Sequence, residues 1–142
     1  MSFSLADKLY SNKPYEKTVD VFGRKFTFRI LGAQEEAAVV RLCGATTFID
    51  LITARRIPTL ARAIIAVDGE HWEECEEVKQ RLRSDLKPSL PDAVTQELQS
   101  PSYTENIVAT LYLAYMGVKG EQQAELEDLK KNSAAQSPEP VG

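Results

Sequence analysis

The sequence predicts a mainly α protein: a small helical domain with one N-terminal β-hairpin and a flexible C-terminal tail. Three observations carry that expectation. Residues 17–30, Lys17-Thr18-Val19-Asp20-Val21-Phe22-Gly23-Arg24-Lys25-Phe26-Thr27-Phe28-Arg29-Ile30, alternate apolar and polar side chains around a glycine, as two paired strands do. After Gly32 the apolar residues recur at three- and four-residue spacing, the period of a helix face. Asn132 to Gly142 are rich in Ser, Ala, Pro and Gln, with too little apolar surface to offset chain entropy. The expected organisation is an arm over 1–16, a hairpin plus helical domain over 17–131 and a disordered tail over 132–142.

A two-residue Gly23-Arg24 turn of type II′ puts Val21 opposite Phe26 and Val19 opposite Phe28, with Asp20 and Thr27 on the other face. Glycine at the first central position takes the required positive φ cheaply. An isolated two-stranded hairpin is marginal in water. Its apolar face must therefore be covered by this chain's helices or by another protein. Ahead of it, Phe3, Leu5, Leu9, Tyr10 and Tyr15 surround Pro14 in an arm suited to docking on a partner.

Downstream, Ala33, Ala37 and Val40 share a stripe on a helix that Gly44 ends, with Glu35 and Glu36 complementing the dipole in its first turn. Thr47-Phe48-Ile49-Asp50 resembles a capping box and opens a short helix to Ile57. Pro58 fits the first turn of a third helix, whose stripe of Leu60, Ile64 and Val67 makes it the best buried one. Asp68-Gly69 stops it. Cys75, Val78 and Leu82 line one side of the next helix, acids early and bases late. Leu90, Val94 and Leu98 define another. Ser102-Tyr103-Thr104-Glu105 is a capping box for the last, with Ile107, Val108, Leu111, Tyr112 and Tyr115 as a wide apolar stripe. Gly117 and Gly120 weaken its middle, and Leu126 and Leu129 continue it.

At 142 residues, 43% apolar and 27% charged, the chain fits one domain with a real core. A net charge of −4 supplies no basic field for nucleic acid. Arg55, Arg56 and Arg62 are the one local candidate for phosphate, and such arginines more often pair with nearby acids. No apolar run approaches the roughly 20 residues that span a bilayer, and the start lacks a secretory pattern. Cys43 and Cys75 read as small buried hydrophobes in a reducing cytoplasm.

Chemistry-bearing sets are sparse. His71 and Cys75, four apart, make half of a metal site, where zinc needs three or four protein ligands. A Cys43–His71 nucleophilic pair has no flanking signature. Asp68-Gly69-Glu70 lacks the further oxygens of a calcium loop. The acids Glu73, Glu74, Glu76 and Glu77 form a solvated face. No catalytic residue, metal or cofactor is therefore expected. A thiol- or metal-dependent hydrolase using His71 and Cys75 is the enzyme-class alternative. Protein-binding candidates are Val19, Val21, Phe26 and Phe28 on the hairpin, with Tyr103, Tyr112, Tyr115 and Met116 on the last helix, since interface cores favour aromatics and Met.

The hairpin reading Val19 to Arg29, the acidic start Gln34-Glu35-Glu36, the segment Leu60-Ala61-Arg62-Ala63-Ile64-Ile65-Ala66-Val67-Asp68-Gly69, the late Leu111-Tyr112-Leu113-Ala114-Tyr115 and the end Glu125 to Lys131 together resemble the tail assembly chaperones of tailed bacteriophages. The resemblance covers about residues 17–131 in order and spacing. It implies a non-enzymatic protein of the host cytoplasm that binds the tape-measure protein and keeps it soluble while tail tube subunits gather. Small tail and baseplate components share the pattern, so a permanent virion subunit is the runner-up. Homo-oligomerisation stays open.

Overall fold

The hairpin does not stand alone. The computed structural model describes the backbone of residues 15–44 and 48–136, and side chains at 15–44 and 51–131. Strand β1 (Glu16–Val21) pairs with β2 (Arg24–Arg29), which pairs with β3 (Ile64–Val67), which pairs with β4 (Glu70–His71). The result is a four-stranded antiparallel sheet in chain order, where the sequence leads one to expect a single hairpin.

The helix expected to run from Pro58 to Val67 divides. Its first part is helical to Ala63, and Ile64-Ile65-Ala66-Val67 is strand. Three of those four residues are β-branched and pack well on a pleated surface. Asp68 and Gly69 both take positive φ, 53° and 83°. That is the type I′ turn that Asp-Gly favours, so the stop signal is a hairpin signal. Asp68 also fastens this turn to β2: its Oδ1 accepts from the Lys25 N–H at 2.9 Å, and its own N–H donates to the Lys25 carbonyl at 2.7 Å.

The first turn differs from expectation as well. Phe22 and Gly23 are its central residues, at φ 55° and 75°, so it is type I′. Val21 now faces Arg24, Val19 faces Phe26 and Lys17 faces Phe28. A slip of two residues keeps the apolar face intact, because side chains alternate with period two. The left-handed backbone at a Phe costs about 1–3 kcal/mol.

Between β2 and β3 lie α1 (Ala33–Cys43), α2 (Phe48–Ala54) and α3 (Arg56–Ala63). After β4 come a 3-10 turn (Trp72–Glu74), α4 (Glu76–Leu82), α5 (Leu90–Leu98) and α6 (Glu105–Gln136). Gly44 ends α1 at φ 56°. Ser89 caps α5, accepting from the Asp92 N–H at 3.3 Å. Thr104, not Ser102, caps α6, its hydroxyl accepting from the Ile107 N–H at 3.4 Å. The Thr47 of the other expected box lies outside the described residues. Helix α6 passes through Gly117 and Gly120 and continues to Gln136, about 48 Å of helix. Residues 132–136, assigned from composition to the tail, are thus helical. Residues 1–14 of the expected arm and 137–142 lie outside the described residues.

The apolar sheet face is covered by α6. The Phe28 ring, fully buried, lies 6.3 Å from that of Tyr115, which is 1% exposed and 6.2 Å from Tyr112. The Tyr115 hydroxyl accepts from the Leu31 N–H at 3.3 Å, satisfying a buried donor. Leu60, Ile64, Val78, Val94, Leu98, Leu111 and Val118 complete the core, with α3 packed on both α5 and α6. Arg29 donates both prongs of its fork to Glu35 at 2.7 and 2.6 Å, joining the end of β2 to the first turn of α1. Lys17 pairs with Glu121 between β1 and α6.

Two stability predictions result. Tyr115→Phe keeps the ring but leaves the Leu31 N–H unpaired, a loss of about 1–3 kcal/mol visible as a lower urea midpoint; an unchanged midpoint would show the bond to be idle. The Arg29 bonds hold the Glu35 carboxyl below its usual range. A carboxyl depressed in the fold stabilises above its unfolded pKa and ceases to as pH falls through the folded one. Glu35→Gln is therefore expected to be less stable at neutral pH and to show a shallower acid limb. Parallel acid limbs for the two proteins would refute that assignment.

Candidate functional site

Ala33, Ala37 and Val40 do share one face of α1, but that face is open. All three are exposed, and Val39, one step round the helix, enters the core at 2%. The open stripe forms one side of a groove of about 320 Å³ between α1, α3 and α6. Tyr112 and Tyr115 lie at its base, and Met116 flanks them. Leu113, 70% exposed and three residues before Met116 on α6, extends the apolar surface.

Polar groups mark the rim. Lys119 bonds Glu36 at 2.6 Å, bridging α6 to α1. Arg55 donates its Nε–H to the Tyr112 hydroxyl at 2.8 Å, and its guanidinium carbon stands 5.9 Å from the centre of the same ring. Tyr112 is thereby held from its edge and its face at once. Burial pushes the Tyr115 phenol up. Small apolar residues at helical spacing, aromatic ends below and a charged rim suit an apolar helix better than a small polar molecule.

Of the eight side chains singled out in the sequence, Val21, Phe26, Phe28, Tyr112 and Tyr115 are buried within this chain, and Val19 and Tyr103 are half-buried. Met116 alone of the eight is exposed, at 36%. The hairpin face is covered by the chain's own α6, which answers the question the sequence left open. Val40 and Arg55 line the groove although neither was expected to bind a protein partner, and exposed Leu113 stands just outside its lining. The signal for Leu113 is its place in Leu111-Tyr112-Leu113, a run too continuous for one helix face to bury.

The chemistry-bearing residues lie apart. His71 sits in β4 and Cys75 precedes α4, so they are not on one helix face as the spacing suggests, although both line a second, acid-rich groove. Burial and, after it, the Glu77 carboxylate push the Cys75 thiol up, with Sγ 3.1 Å from Glu77 Oε2. That is opposite to an activated nucleophile. Cys43 lines a third groove, with Ile57 and Arg62. Arg62 turns back to the Pro58 carbonyl at 3.0 Å, while Arg55 faces Tyr112, so these arginines share no phosphate patch. Among the described residues, no group of three or more His, Cys, Asp or Glu is placed to hold a metal ion. No helix among them is long and apolar enough to cross a membrane.

Comparison with known protein families, with curated proteins and with solved structures finds no match for this chain. The site must be read from its own geometry.

The thiol supplies a direct check. Alkylation of Cys75 by iodoacetamide, followed by mass spectrometry, is expected to be slower at neutral pH than that of a free thiol and to speed up in Glu77→Gln. Equal rates in the two proteins would mean that the carboxylate does not reach the sulfur.

Proposed function

We propose that this chain is a non-enzymatic phage tail assembly chaperone that holds apolar helical segments of the tape-measure protein during tail morphogenesis. The observation that carries the reading is the unpartnered stripe Ala33-Ala37-Val40 facing Met116 across an open groove, with exposed Leu113 one turn from Met116 on α6. A second helix laid there meets small residues on one side, which permit close approach, and longer apolar ones on the other. The partner class comes from the resemblance of residues 17–131 to such chaperones; the groove supports it by fitting an amphipathic helix. The raised Cys75 thiol and the separation of Cys43 from His71 weigh against a hydrolase.

The binding surface thus lies on α1 and α6 rather than on the hairpin. The acidic balance of the chain favours solubility of the complex. The setting proposed is the host cytoplasm during assembly.

Co-expression with the tape-measure protein of the same phage is the test. The wild-type chain is expected to keep that protein soluble and to co-purify with it. Val40→Asp combined with Leu113→Asp, both at exposed positions, should preserve the fold by circular dichroism and weaken binding by about 2 kcal/mol or more. Binding unchanged in this variant rejects the groove, and no co-purification of the wild type rejects the chaperone reading. Mass spectrometry of purified virions should find the chain absent; copies retained in the particle would favour a permanent tail or baseplate subunit.

A further inference from the structure

Phe22 breaks two rules at once. It is a bulky residue held at φ 55°, where Asn, Asp or Gly is at home, and it is 60% exposed at the tip of the β1–β2 hairpin. Neither property serves the fold, since Asn would complete the same turn without strain. Strain together with an exposed aromatic marks a side chain kept for contact with something outside.

The same chain carries a socket of matching chemistry. A groove of about 470 Å³ among α1, α2, α3 and α5 is lined by Leu42, Ala54, Ile57 and Pro58, with Arg62 and Asp92 among its polar members. Leu42 is 63% exposed there. Asp20 and Lys25 stand opposite each other just behind the Phe22 turn, on the face away from the core. Salt bridges among the described residues use none of Asp20, Lys25, Arg62 and Asp92. Finger and groove therefore each offer an apolar centre flanked by one acid and one base that form no salt bridge, Arg62 keeping its bond to the Pro58 carbonyl. Phe22 does not line this groove in its own chain.

We propose that Phe22 of one copy docks in the Leu42–Ile57–Pro58 groove of a second copy, with Asp20 facing Arg62 and Lys25 facing Asp92. Finger and groove are different surfaces, so the contact is head-to-tail and builds an open row or a ring rather than a two-fold dimer. The proposal is independent of the tail-assembly reading and uses a groove other than the one assigned to the tape measure.

The test is light scattering of the full-length chain after size exclusion, over a concentration series at low and high salt. The wild-type mass should rise beyond two copies with concentration and drop in high salt, which screens the flanking pairs. Phe22→Asn and Leu42→Asp, both at exposed positions, should each weaken association by more than about tenfold. Mixed together they should form a one-to-one dimer and nothing larger, because one keeps the groove and the other the finger. At a concentration where the wild type is monomeric, Phe22→Asn should melt a few degrees higher, its backbone strain removed. A wild type monomeric throughout, either variant assembling like the wild type, or a mixture that stays monomeric each overturns the proposal.

Discussion

The contact between Phe28 and Tyr115 is the constraint on which the rest of this structure depends. A two-stranded ribbon with an apolar face cannot persist in water, and even four short strands need that face covered. Helix α6 supplies the cover from the far end of the chain, placing Tyr115 on Phe28 and its hydroxyl on the Leu31 N–H. Once these ends meet, α1 to α3 are held in the long connection from β2 to β3, and α4 and α5 must close the remaining side of the core against α3. The Arg29–Glu35 fork and the Lys17–Glu121 pair lie at the margins of that contact. They orient α1 and the outer half of α6, while burial does most of the stabilising.

Using the aromatics inside relocates the surface on which function can act. Tyr112 and Tyr115 are both at least nine-tenths buried, Tyr115 against Phe28 of the sheet and Tyr112 between Tyr115 and Arg55, so they offer a partner only the floor of the groove. What remains open is aliphatic: the stripe on α1, Leu113 and Met116 on α6, and Leu42 beside the third groove. An aliphatic groove recognises a helix by shape and spacing and makes few demands on sequence. Among the described residues Phe22 is the exception, an aromatic left outside at a backbone cost.

Much of this was legible before folding. Turn chemistry placed a hairpin within residues 17–30, Gly44 ended α1, and the stripe from Ile107 to Tyr115 marked the buried face of α6, although the helix after Pro58 was the one expected to be best buried. The errors share a cause. Leu60, Ile64 and Val67 satisfy a helical period, and nothing local says that the helix yields to a strand after Ala63. What decides it is β2, some 35 residues earlier, whose free edge gives Ile64 to Val67 a ladder to join. Likewise Ala33, Ala37 and Val40 form a true stripe, and only the placement of α3 and α6 determines that Val39 is buried and the stripe is not.

By itself the sequence determined the coarse class: a mainly helical chain of moderate charge with an antiparallel hairpin near its start. Period and turn residues are local properties, and they survive without knowledge of the rest of the molecule. Tertiary structure alone decided which apolar faces are spent on the chain's own core and which stay open, because a hydrophobic face carries no mark of its partner. Burial is settled by competition among all faces at once, and in that competition the hairpin was covered and the α1 stripe was left free.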